Sequence, residues 1–130
     1  MGRNYKNLKI YELAYKFLLE IYVSVLPSIP EEEQRNITSQ LQRAATSIVL
    51  NIVEGCSMRS NKVFFNHLQY SYASAKEVQV LLELCHDLNY LDKEIYPLLY
   101  TKSEELNATI YKFMRTVDKE ILLRRNNYAL

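Results

Sequence analysis

Two glycines and three prolines in a chain of 130 residues leave too few breakers for the frequent turns of a small β-fold. Long uninterrupted helices are the expected elements. Cys56 and Cys85 could form one bridge at most, which excludes the disulfide framework of a small secreted domain. A reducing compartment fits this usage, and the cytoplasm is the expected location. No apolar run approaches the ~20 residues that span a bilayer, so no membrane partner is expected. Lys9, Glu12, Lys16 and Glu20 interrupt the first apolar segment, which lacks the core and cleavage site of a signal peptide. Lys6 stands where a myristoylation signal after Gly2 needs Ser or Thr. An excess of one charge is also missing: 16 basic residues face 15 acidic ones, for a net charge of +1. Any nucleic-acid contact must then be a local patch rather than a global field.

What the chain does contain is apolar periodicity, divided into four stretches by its few breakers. Leu8, Tyr11, Tyr15, Leu18, Tyr22 and Val25 recur at spacings of three and four, with Ile10, Ala14, Phe17 and Ile21 running beside them. Pro27 and Pro30 end that helix. Glu31, Glu32 and Glu33 suit the positive end of a second helix, whose stripe is Ile37, Leu41, Ala44, Ala45, Ile48 and Ile52. Gly55 is placed to close it in a left-handed conformation, and Ser60 to cap the third. Phe64, Leu68, Ala75, Val78, Leu82, Cys85 and Leu88 form the third stripe; Leu106, Ile110, Phe113, Val117 and Ile121 form the fourth. Asp92 can cap the last helix, with Pro97 distorting or delaying its first turn. One all-α domain is expected, with helices near 7–26, 31–55, 60–90 and 93–124. Short connections favour an antiparallel up-down-up-down four-helix bundle.

Two features exceed what such a bundle needs. The first is surplus apolar surface: helix one carries two stripes, and helix two adds Val49, Leu50 and Val53 opposite its core stripe. These three are candidate contacts of a homo-oligomer, because a contiguous exposed apolar patch calls for a partner. The second is a polar series, Gln40, Arg43, Ser47, Asn51 and Glu54, on one shoulder of helix two, answered on helix three by His67, Tyr70, Ser74 and Glu77. Antiparallel pairing sets Arg43 near the level of Glu77 and Asn51 near that of His67. A register-fixing network with a buried Arg43–Glu77 pair is one reading, since paired buried polar groups cost little. A recessed ligand site, with Arg43 binding an anion, is the other.

At this series the run Gln40-Leu41-Gln42-Arg43-Ala44-Ala45-Thr46-Ser47-Ile48-Val49-Leu50-Asn51-Ile52-Val53-Glu54-Gly55 closely resembles the signature of the 23S rRNA intervening-sequence proteins, known also as four-helix bundle proteins. The resemblance extends to Tyr5-Lys6-Asn7-Leu8-Lys9-Ile10-Tyr11, to Phe65, Leu68, Ser74 and Glu77, and to Asn89-Tyr90-Leu91. Ala73 and Asn89 depart from it, since the family commonly has Gly at both. It implies a ring-shaped homopentamer and a distant similarity to accessory proteins of diversity-generating retroelements, which associate with nucleic acid.

Catalytic chemistry finds little support. Glu83 and His86 match one Glu-x-x-His element of a di-iron bundle, but the second copy is absent: Phe64 stands three residues before His67. Zinc-ligand spacing, a nucleophile motif and a Gly-rich phosphate loop are also missing, so no catalytic residue, metal or cofactor is expected. Two small basic patches remain as candidate nucleic-acid contacts, Arg59 with Lys62 and Lys119 with Arg124 and Arg125. The sequence thus points to a non-enzymatic homo-oligomeric scaffold whose partner is itself or another protein, with an RNA-associated factor as the alternative.

Overall fold

The computed structural model describes residues 4–128; Gly2 lies outside them. Four helices account for most of these residues, and no strand occurs among them: α1 (Lys9–Glu20), α2 (Ser39–Ser57), α3 (Asn61–Asp87) and α4 (Ile95–Tyr128). α1 continues through a wide π-helical turn, Ile21–Val25, and a 3-10 turn, Leu26–Ser28. α2 is entered through a 3-10 turn, Glu31–Glu33, and a second π-helical turn, Gln34–Thr38. Both departures from α-helical winding flank the corner at Pro27 and Pro30, where proline removes backbone donors.

Cross-helix bonds set the order of packing. Ser71 Oγ donates to the Ile48 carbonyl at 2.9 Å and Ser74 Oγ to Ser47 Oγ at 3.0 Å, so numbers fall along α2 as they rise along α3. Asn61 bonds Glu120, the Phe64 and Phe113 rings meet at 5.7 Å, and Asn107 bonds Gln79, giving α3 and α4 the same opposed order. Lys102 pairs with Glu20, tying α4 to α1. The core between them is closed by Ile10, Ile21, Leu41, Ile52, Phe64, Leu82 and Ile110, all fully buried. Each such side chain contributes about 1.5–3 kcal/mol through burial.

The helix ends follow the capping chemistry, with two corrections. Ser60 caps α3 as expected, its hydroxyl accepting from the Val63 N–H at 3.3 Å. α4 starts at Ile95, so Pro97 falls in its first turn, where the lost N–H needs no helical partner. Gly55, however, does not close α2 in a left-handed conformation. It lies inside the helix and is buried, and a Cβ there would stand 2.7 Å from Phe64 Cδ1 and 2.9 Å from His67 Cβ. Its role is close approach of α2 to α3. The left-handed residue is instead Asn89 (φ 62°), in the link after α3. Tyr90 N–H returns to the Cys85 carbonyl at 2.8 Å and Asn89 N–H to His86 at 3.0 Å, a Schellman closure.

Only one of the two stripes of α1 is buried along its whole length. Ile10, Ala14, Phe17 and Ile21 face the core, while Tyr15 and Tyr22 of the longer stripe are exposed. Tyrosine carries a hydroxyl that is costly to bury without a partner, so the all-aliphatic and Phe stripe goes inside.

Candidate functional site

α2 lies recessed between its neighbours because its outer side carries short side chains. Thr46 and Ser47 occupy the middle of that side, with Ala44 beside them. Two depressions result. One, of about 480 Å³, is lined by Tyr22, Gln42, Arg43, Thr46, Ser47, Leu50, Asn51 and Glu54. The other, of about 380 Å³, lies toward α3 and is lined by Gln40, Arg43, Ala44, Ser47, Ser74 and Glu77. Arg43 and Ser47 border both, so the pair forms one open trough across α2.

The polar series meets its α3 counterpart at the centre of this trough. Ser74 bonds Ser47, and the Asn51 side-chain amide donates to the Ser47 carbonyl and hydroxyl, each at 3.0 Å. With its amide nitrogen so engaged, Asn51 offers Oδ1 as the acceptor for His67 Nδ1 at 3.0 Å. That arrangement makes Nδ1 the donor of this bond. Glu54 Oε2 approaches the same nitrogen at 3.8 Å. Ser47, Asn51, Glu54 and Ser74 therefore belong to one interhelical cluster with His67.

The outer members do not join it. Gln40 bonds Asn36 at 2.7 Å and Arg43 bonds Ser39 at 3.0 Å, each one turn back on its own helix. Arg43 and Glu77 face the same depression but are both exposed, so the expected buried ion pair does not form. Ala44, Ser47 and Ser74 are too short to roof the space between them, and the long charged side chains keep their water.

The candidate oligomer contacts also divide. Val49 is only 7% exposed and belongs to the core, and Val53 packs against it. α1 and its π-helical turn pack on α2 and cover that side. Leu50, 50% exposed, is the one of the three left on the surface.

Among the described residues no group of three or more His, Cys, Asp or Glu is placed to hold a metal ion. His86 stacks on Tyr96 with ring centroids 4.2 Å apart, and Glu83 is exposed. Both cysteines are buried, and burial, with the Glu33 charge adding to it, pushes the Cys85 thiol up to about 11. It stays protonated at neutral pH and is a poor nucleophile. The five candidate nucleic-acid residues, Arg59, Lys62, Lys119, Arg124 and Arg125, are all exposed.

Sequence reasoning missed a second buried polar cluster. Gln79 donates to Ser103 at 3.1 Å and accepts from Asn107 at 3.0 Å, with Ser103 and Asn107 buried in the α3–α4 seam. Asn107 adjoins Leu106 in the fourth stripe, and a polar residue beside a core position was the available signal.

Comparison with known proteins places this architecture. No curated protein matches the chain. It is similar in structure to a protein of unknown function from the S23 ribosomal protein family of Bacteroides thetaiotaomicron VPI-5482. That likeness has a TM-score of 0.74 at 24% identity and covers 82% of this chain and 95% of that one. At that identity it shows a shared fold. The family model described as 23S rRNA-intervening sequence protein matches residues 6–112, spanning α1 to α3, the trough and the first half of α4. The chain belongs to the 23S rRNA-intervening sequence protein family.

Proposed function

We propose that this protein is a non-enzymatic, cytoplasmic, up-down-up-down bundle that self-associates and serves as a scaffold. The observation that supports this is the outer face of α1 and its π-helical turn. Tyr15, Leu19, Tyr22 and Val23 are all exposed, Val23 at 74%, and their spacing puts them on one side of the helix. Leu50 extends the apolar surface across the trough, which Tyr22 also lines. A contiguous patch of this kind marks an interaction site. A second copy is the simplest occupant, because identical chains joined head to tail close into a ring. The pentameric number comes from the family resemblance.

Sedimentation velocity on the wild type and on Leu19→Glu/Val23→Glu tests the reading. Both side chains are exposed in the single chain, so the variant should fold normally, as judged by circular dichroism, yet sediment as a smaller species. A wild-type monomer, or a variant assembly unchanged in size, would refute the assignment of this face.

A further inference from the structure

The net charge of +1 conceals a separation of charge along the bundle. Arg59 and Lys62, at the start of α3, lie almost sixty residues from Lys119, Arg124 and Arg125 in sequence and read there as two unrelated patches. The structure brings them to one end. Asn61 Nδ2 donates to Glu120 Oε2 at 3.2 Å, which sets the first turn of α3 beside the α4 segment that carries Lys119 and leads into Arg124 and Arg125. The acidic residues there are Glu54, Asp118 and Glu120; Glu54 faces His67 and Glu120 is engaged by Asn61.

The far end of α3 has the opposite character. Tyr90 donates to Glu33 at 3.2 Å, joining the close of α3 to the entry of α2. Glu31, Glu32, Asp87, Asp92 and Glu94 are exposed around that junction, with Arg35 and Lys93 as the basic residues among them. The 27 residues of α3 hold the two ends ~40 Å apart. That is several Debye lengths at physiological salt, so each end presents its own field.

We propose that the basic end is a docking surface for the phosphodiester backbone of single-stranded nucleic acid. Three of its five cations are arginines, whose planar fork matches phosphate oxygens in pairs. The acidic end repels the same polymer, so the bundle meets it end-on and in one orientation. The surface belongs to each single chain and does not depend on the self-association proposed above.

Anisotropy of a fluorescent oligouridylate titrated with the full chain at several salt concentrations tests this. If about four phosphates are neutralised by both halves together, log affinity falls against log salt with a slope of about −3. Affinity then drops roughly fiftyfold as salt rises from about 50 to about 200 mM. Two contacts at a lone patch would give only about sevenfold. Arg59→Glu on the α3 side and Arg124→Glu on the α4 side should each weaken binding tenfold or more at low salt, with helicity and assembly size unchanged. Glu31→Gln/Glu32→Gln should leave binding intact. The proposal is overturned if the oligonucleotide does not bind at low salt. It is equally overturned if one of the two charge reversals has no effect on binding. Salt-sensitive growth into long polymers, lost in Glu31→Gln/Glu32→Gln, would overturn it in favour of the acidic end of a second copy.

Discussion

Replacing Gly55 by alanine pits helix propensity against packing, and the geometry decides the sign. In an ordinary helix interior the change stabilises by about 1 kcal/mol, because glycine pays more backbone entropy. Here the new methyl would meet Phe64 Cδ1 at 2.7 Å and His67 Cβ at 2.9 Å. Neither neighbour is a loose end. Phe64 is fully buried with its ring edge-on to Phe113, and a Cβ atom moves only with its backbone. α2 and α3 must therefore separate by several tenths of an ångström, which strains the Ser47–Ser74 and Asn51–His67 bonds above. Overpacking of this kind costs about 1–3 kcal/mol, and with a rigid neighbour the upper part of that range applies. The net expectation for Gly55→Ala is a loss of about 1–2 kcal/mol, with Tm lowered by roughly 3–8 °C. Urea denaturation followed by circular dichroism measures it directly, provided the slope against denaturant is unchanged. Gly55→Ala/Phe64→Leu should recover part of the clash energy relative to Phe64→Leu alone. A Gly55→Ala protein more stable than wild type would refute the close-approach role.

Three further outcomes follow from the fold. Asn89 sits at φ 62°, so Asn89→Ala should cost about 1–2 kcal/mol in a denaturation titration, while Asn89→Gly should match or exceed wild type. Arg43 is exposed and bonded only one turn back, so Arg43→Met should change stability by less than about 0.5 kcal/mol; a loss several times larger would indicate a buried charge partner. Burial raises the Cys85 pKa from the ordinary 9.0 to about 11, with the Glu33 charge adding to it. Between those values the unfolded chain has given up a proton that the folded chain retains, so stability falls as pH rises across this window. Comparing the pH dependence of denaturation midpoints for wild type and Cys85→Ala isolates that contribution.

Much of this fold is legible in the sequence because helix boundaries are set locally. Ser60, the carboxylates at 31–33 and the core stripes of α2 to α4 announce themselves through capping and period, which depend on a few neighbours. What a helical period cannot tell is which of two adjacent wedges faces inward. Both stripes of α1 fit a helix, and only packing against α2 and α4 selects Ile10, Ala14, Phe17 and Ile21. The same ambiguity sent Val49 and Val53 to the surface, although α1 covers them. Gly55 looked like a terminus because glycine commonly ends helices, whereas its need arises from Phe64 and His67, contributed by the next helix.

The centre of the polar site was legible in the sequence, and the fate of its outer members was not. Ser47, Asn51, Ser74 and His67 pair as their levels on opposed helices require. Whether Arg43 and Glu77 are buried depends instead on the bulk of the residues between them. Ala44, Ser47 and Ser74 leave an open trough rather than a sealed seam. The union of the two basic patches depends on the end of α4 meeting the start of α3, a long-range contact with no local signature.

Absolute mass by light scattering across a micromolar concentration series decides whether the chain self-associates through the outer face of α1. The expected mass is an integral multiple of the chain mass, five if the family stoichiometry applies, and constant on dilution. A particle of single-chain mass at every concentration would contradict it.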